Sequence, residues 1–224
     1  MIDLTVDGKG IEAAEGTTVL EACLANGIYI PNLCFIEGME DPPGACRLCF
    51  VELEGQSKLA ASCKTEVTKG MVVRTNTEPV RRMQRTVFQL LLSAHCMDCR
   101  DCPSAKKCPL RQIAGFLGVP PGERKLEEIW QGLTVKQTHP CFDFFPTRCI
   151  LCLKCLYVCR KRNGAPILAV VNKGFDTSIG CLIEAPPESL PCRSCMACVE
   201  ICPVSAILPK GPPEAFTDHG DPST

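Results

Sequence analysis

The stretch Cys149-Ile150-Leu151-Cys152-Leu153-Lys154-Cys155-Leu156-Tyr157-Val158-Cys159 reads C-x2-C-x2-C-x3-C. The same spacing returns at Cys192, Cys195, Cys198 and Cys202, the last followed by Pro203. Three cysteines so spaced wrap one 4Fe-4S cubane, and in a two-cluster chain the fourth ligates the other cubane. The two runs therefore assign Cys149, Cys152, Cys155 and Cys202 to one cluster and Cys192, Cys195, Cys198 and Cys159 to its neighbour. Donation across the pair holds the clusters close together, which suits passing an electron. Arg160 stands where the second run has its proline, a residue that shapes the chain and binds no iron.

Paired C-x2-C units also build zinc ribbons. A tetrahedral zinc site needs only four ligands, whereas each run supplies three cysteines at x2 spacing and a fourth after x3, twice over. Disulfides fit no better. The opening Met1-Ile2-Asp3-Leu4 has no basic n-region, apolar h-region or cleavage site, so reduced thiols and a cytoplasmic location are the expectation. No segment approaches the roughly 18 apolar residues of a spanning helix, and membrane contact would have to come through a partner.

The chain has 224 residues, 46% hydrophobic and 22% charged, enough for a core in one or two domains. Clusters also replace core, so three small modules are compatible with this length. The polypeptide carries a formal net charge of -1. Metal-bound thiols are deprotonated, and with the clusters counted the loaded protein sits near about -8. Such a charge opposes nucleic-acid binding, which needs a basic patch. Arg47, Arg148, Lys154, Arg160, Lys161, Arg162 and Arg193 flank the ligands; they either form an ordinary solvated face or stabilise the reduced, more negative clusters.

The N-terminal third has a different texture. Ile2, Leu4 and Val6 alternate with polar residues, Asp7-Gly8-Lys9-Gly10 turns the chain, and Ile11 to Ala13 return as a hairpin partner. A helix follows, capped by Thr17 or Thr18, striped by Val19, Leu20, Cys23 and Leu24, and stopped by Asn26-Gly27. Phe50 to Glu54 and Lys58 to Ser62 read as a hairpin around Glu54-Gly55-Gln56, and Met71 to Arg74 as a further strand. Between these elements lie Cys34, Cys46, Cys49 and Cys63, spaced C-x11-C-x2-C-x13-C.

Pro43-Gly44-Ala45-Cys46-Arg47-Leu48-Cys49-Phe50-Val51-Glu52, with Ala61-Ser62-Cys63-Lys64 and Gly70-Met71, resembles the 2Fe-2S domain that begins the large iron-sulfur subunit of respiratory complex I. The same module begins many iron-only hydrogenases and the small diaphorase subunit of NAD-linked nickel-iron hydrogenases. The resemblance implies a β-grasp fold and a 2Fe-2S cluster on Cys34, Cys46, Cys49 and Cys63. The spacing departs from the plant-type C-x4-C-x2-C and follows the complex I branch.

From Pro79 to Ala94 a helical pattern puts Val80, Met83, Val87, Leu90 and Leu91 on one face and delivers His95 at its end. His95-x3-Cys99-x2-Cys102-x5-Cys108 then resembles the 4Fe-4S site with one histidine and three cysteine ligands that follows the 2Fe-2S domain in that family. Cys96, next door, is the rival ligand. Cys23 reads as a small buried hydrophobe. Cys141 and Cys181 are either structural or at a partner contact or cluster edge, and His139 and His219 have no supporting ligands.

The expected class is α+β: a 2Fe-2S β-grasp domain over 1–78, a helical histidine-ligated 4Fe-4S segment over 79–138, a two-cluster ferredoxin-like domain over 139–209, and a flexible tail over 210–224. With no G-x-G-x-x-G or P-loop, the chain carries no nucleotide motif, and no residue is needed as acid, base or nucleophile. Complex I's large subunit and the iron-only hydrogenases continue far beyond the equivalent of residue 209, so the small-subunit architecture is expected. The resemblance implies an electron-transfer subunit with one 2Fe-2S and three 4Fe-4S clusters, set between a flavin- and NAD(P)-binding subunit and a catalytic redox subunit of hydrogenase or formate dehydrogenase type. A free-standing polyferredoxin-type carrier is the alternative.

Overall fold

The computed structural model describes residues 1–97, 99–120, 126, 137–164, 166–182 and 190–210. The expectations for short helices within 121–136, for the tail beyond Lys210 and for His219 lie outside these residues. Strands β1 (Ile2–Val6) and β2 (Lys9–Ala13) pair antiparallel from Val6 opposite Lys9, so the turn is only Asp7-Gly8. Both turn residues have positive φ, 50° and 82°, the twist that closes a two-residue hairpin. Lys9 and Gly10, expected in the turn, belong to the strand.

Helix α1 (Val19–Ala25) starts at Thr18, whose hydroxyl accepts from the Glu21 amide at 3.3 Å. The Glu21 carboxylate in turn accepts from the Thr18 amide at 2.9 Å. This reciprocal cap is worth about 1 kcal/mol. Strands β3 (Phe50–Leu53), β4 (Ala60–Ala61) and β5 (Val72–Arg74) complete a sheet ordered β2-β1-β5-β3-β4, in which only β1 and β5 are parallel. Strand β4 is shorter than its pattern because Ser62–Lys64 turn into a single 3-10 turn that carries Cys63. Val6, Val19, Leu20, Cys23, Ile30, Val51 and Val73 fill the core between sheet and helix.

Helix α2 (Glu78–Ser93) corrects the expected apolar face. Its buried stripe is Val80, Gln84, Phe88 and Leu92, while Met83 and Leu90 are exposed at 39% and 54%. Gln84 is tolerated inside because its Nε2 donates to the Phe50 carbonyl of β3 at 3.2 Å. His95, three residues beyond Leu92 and just past the helix end, is itself buried. Replacing Phe88 with alanine is expected to lower stability by about 3–5 kcal/mol. Replacing Leu90 should change it by less than about 0.5 kcal/mol. Thermal unfolding of the two variants checks the assignment; equal losses would restore the sequence-read face.

Helix α3 (Pro109–Leu117) ends at Gly118 in the left-handed region, φ 66°, and is tied to α2 by Arg85 Nε donating to the Leu117 carbonyl at 3.0 Å. Next come β6 (Gln137–Thr138), β7 (Phe142–Phe144), α4 (Lys154–Asn163), β8 (Leu168–Val171), β9 (Ser178–Cys181), α5 (Cys192–Cys195), α6 (Ala197–Glu200) and β10 (Ile207–Pro209). Strands β10, β7 and β6 form one small sheet, and β8 and β9 an antiparallel hairpin. Helix α4 runs past Cys159 because Arg160 permits it, whereas Pro203 disfavours helix at the residue before it and α6 stops at Glu200.

The cores do not respect the expected module boundaries. Leu33, Cys34, Cys46 and Leu48, from the first 78 residues, pack with Phe88, Leu92, Ile113, Phe144 and the ligand cysteines of the C-terminal region.

Candidate iron-sulfur sites

The loop from Asn26 to β3 brings Cys34 and Cys46 together, their sulfurs 3.4 Å apart. Gly44, at φ 60°, and Arg47, at φ 53°, bend the chain so that backbone amides of Ala45 and Cys46 aim at the Cys34 sulfur. Hydrogen bonding from the Cys46 thiol pulls the Cys34 thiol down to about 6, and the same contact pushes Cys46 up. Cys49 and Cys63 form a second such pair, with Cys49 lowered to about 7 by the Cys63 thiol and Cys63 raised. The set is thus two buried pairs of thiols, each sharing a proton between its sulfurs.

In the C-terminal region, Leu153 at φ 64° and Met196 at φ 43° occupy the same place in the two runs, each just before the helix that carries its third cysteine. A non-glycine residue here costs about 1–2 kcal/mol, so the repeated strain marks a loop shaped around something other than itself. Burial, then repulsion from Cys152 and Cys202, pushes Cys149 up to about 12. Cys152 is raised to about 11 chiefly by burial, with Cys202 and Cys34 repelling it. Cys155 is raised by burial and by Cys149, Cys152, Cys202 and Cys198. Burial and then Cys159, Cys192 and Cys195 push Cys198 up to about 12. Cys192 is raised to about 11 by burial, then by Cys141, Cys159, Cys181 and Cys195. The fold therefore places Cys202 beside the first run and Cys159 beside the second.

Amide groups also point at these sulfurs. Leu151 donates to Cys149 at 3.4 Å and Ala206 to Cys202 at 3.2 Å, leaving the sulfurs as acceptors suited to the thiolate state. Among the described residues, no three His, Cys, Asp or Glu side chains converge as a single metal ion would require.

At the end of α2, His95 Nδ1 lies 2.8 Å from the Arg148 carbonyl oxygen. A nitrogen facing a carbonyl carries the proton, which puts the lone pair on Nε2, the orientation of a metal-ligating histidine. His95 and Cys108 are buried, Cys102 is half-buried and Cys99 is exposed. Cys96 is half-buried, its amide donating to the Thr147 carbonyl at 2.6 Å.

The remaining groups separate. Cys23 is fully buried and pushed up to about 12 by burial and then by Asp7, an inert core thiol. Cys141 and Cys181 border Cys192. His139 is buried, stacked on Phe142 with ring centres 4.0 Å apart, and accepts from the Cys141 amide at 3.1 Å. That packing role depends on the fold around β7 and is not legible in the sequence.

Residues 1–78 match the family of the 2Fe-2S iron-sulfur cluster binding domain, and residues 84–121 match the NADH-ubiquinone oxidoreductase-G iron-sulfur binding region. The chain thus carries both iron-sulfur regions. It is 35% identical over 222 residues to the NADPH-Fe(3+) oxidoreductase subunit alpha of Geobacter sulfurreducens, covering 97% of this chain and 26% of that one. The NADP-reducing hydrogenase subunit HndD of Solidesulfovibrio fructosivorans is 33% identical over 93% of this chain and 36% of its own. The NADH-ubiquinone oxidoreductase 75 kDa subunit of Reclinomonas americana is 34% identical over 97% of this chain and 30% of its own. The chain thus spans between about a quarter and a third of the length of these relatives. A chain of the NAD+-reducing NiFe-hydrogenase in the H2-reduced state superimposes with TM-score 0.81 at 29% identity, covering 93% of this chain and 87% of that one. The iron-sulfur domains are set in a mixed α/β fold, and among the described residues no helix is long and apolar enough to cross a membrane.

Proposed function

We propose that this chain relays single electrons, as one subunit of a multi-subunit oxidoreductase, between a flavin- and NAD(P)-binding subunit and a catalytic redox subunit. The observation that carries the reading is the contiguity of the ligand sets. Cys34 of the N-terminal set lies close enough to Cys152 to repel it, and Cys155 is similarly beside Cys198. His95 is hydrogen-bonded to the residue that precedes Cys149. The set of Cys149, Cys152, Cys155 and Cys202 therefore adjoins all three others, although it comes third in sequence.

In this reading the Cys34–Cys46 and Cys49–Cys63 pairs each take one iron of a 2Fe-2S cluster. His95, Cys99, Cys102 and Cys108 hold a 4Fe-4S cluster, and the two crossed sets hold one each. The clusters supply the one-electron chemistry; the protein supplies ligands, amide hydrogen bonds and exclusion of water. The sheet order of β1 to β5, with α1 packed on it, supports a β-grasp for residues 1–78, and the paired Leu153 and Met196 turns support a two-cluster ferredoxin unit over 139–209.

A docked subunit is favoured over a free-standing carrier by the apolar side chains exposed along the β8–β9 hairpin. Phe175, in the β8–β9 connection, is 81% exposed, and Leu182 is 57% exposed. Large apolar side chains left in solvent mark an interaction face. Anaerobic purification is expected to give about 14 iron and about 14 acid-labile sulfide per chain, with a flavoprotein in the same complex. Zinc in place of iron, or an isolated chain that stays monodisperse with full iron, would overturn the reading.

A further inference from the structure

Seven basic residues flank the cysteines, and they are not equivalent in space. Arg47, Arg160, Lys161, Arg162 and Arg193 are exposed, where water and salt screen their charge, and Lys154 is half-buried at the start of α4 near Cys152. Arg148 is half-buried, and its Nη1 is buried with no hydrogen-bond partner among the described residues. Its guanidinium lies over the Phe145 ring, 4.6 Å from the centroid. Phe145 in turn donates its amide to the Ala206 carbonyl at 2.7 Å, and the Ala206 amide donates to the Cys202 sulfur. On its other side Arg148 precedes Cys149 in the chain and gives its carbonyl to His95. Ser104 and Ser205 share a hydrogen bond across the same boundary, so the histidine segment and the Cys202 segment are in contact there.

An ionised N–H buried without an acceptor costs about 1–3 kcal/mol or more. Arginine is never deprotonated in such a place, so its environment must supply negative charge. We propose that Arg148 is a positioning charge for electron transfer: its guanidinium, set over Phe145 with Nη1 buried and unpartnered, raises the reduction potential of the histidine site and the Cys149 set, and that of the Cys149 set most. The proposal rests on the cluster reading above. Reduction adds negative charge, a nearby unscreened cation stabilises the reduced state, and hydrogen bonds toward sulfur act in the same direction. The residue thereby makes the central set an electron sink relative to the half-buried Cys192 set, beside which no basic side chain with a buried, unpartnered nitrogen lies among the described residues.

The test is Arg148→Gln in the intact complex, followed by iron and sulfide analysis and a redox titration monitored by low-temperature electron paramagnetic resonance. Full iron with the Cys149-set signal shifted to lower potential, by about tenfold in the reduced-to-oxidised ratio at fixed potential or ~59 mV for one electron, is the expected result. The histidine-site signal should move less in the same direction and the Cys192-set signal least. Full iron with no shift, or with the largest shift in the Cys192 set, overturns the role of Arg148 while leaving the clusters in place. Loss of iron already in the wild type would instead remove the underlying reading. If the glutamine variant loads poorly, Arg148→Lys decides: full loading with near-native potentials upholds the charge, and failure to load like the glutamine variant assigns Arg148 to packing on Phe145 alone.

Discussion

Replacing His95 with alanine is expected to remove about four iron and four sulfide per chain, from about 14 to about 10, and to abolish one paramagnetic signal while the other three persist. The physical case is the way the side chain is delivered. His95 is buried just past the end of α2, three residues beyond Leu92, and its Nδ1 is fixed by the Arg148 carbonyl. A ring held by its second nitrogen presents the first with little loss of rotamer entropy, which is why outer hydrogen bonds matter to metal affinity. Cys96 is only half-buried, and its amide is engaged with the Thr147 carbonyl beside Arg148. His95→Cys should keep the iron, because four ligands remain. Its cluster would carry one more negative charge and a lower potential. Full iron and an unchanged signal in His95→Ala would transfer the ligand role to Cys96.

What the sequence revealed and what it hid divide along range. The hairpin of β1 and β2, the Thr18 cap, and the end of α1 at Asn26 are set by neighbours within four residues, and all three were legible. The buried face of α2 was not, because Gln84 is admitted to the core by a carbonyl 34 residues away. Periodicity counts apolar residues and cannot see a distant acceptor. The ligand spacings were legible for the same local reason, since a cluster imposes its geometry on consecutive turns. The packing of Cys34, Cys46 and Leu48 against the C-terminal core was hidden, and so was the special burial of Arg148 among seven similar basic residues. Both depend on which loops meet. The residues that relate one site to another, rather than those that build each site, are the ones the chain does not announce.

Crossed ligation gives the second large effect, and pairs of variants test it without knowing the spectra beforehand. Cys202→Ala and Cys149→Ala are expected to disturb one and the same cubane signal, and Cys159→Ala and Cys192→Ala the other, each with a loss of up to about four iron. Uncrossed ligation predicts the opposite partners, Cys202 with Cys192 and Cys159 with Cys149. The distinction follows from where the helices end. Helix α4 carries Cys159 one turn beyond Cys155, and its sulfur lies near Cys192 and Cys198. On the other side, α6 stops before Cys202, and the turn to Ala206 directs that sulfur toward Cys149, Cys152 and Cys155. Crossed ligation leaves each run without a fourth ligand of its own, so that loss of either fourth cysteine is expected to damage the cluster wrapped by the other run. Because the two loops are completed only by one another, the iron lost from a fourth-cysteine variant should be accompanied by loosening of both runs, measurable as faster amide exchange at Leu151 and Met196 together.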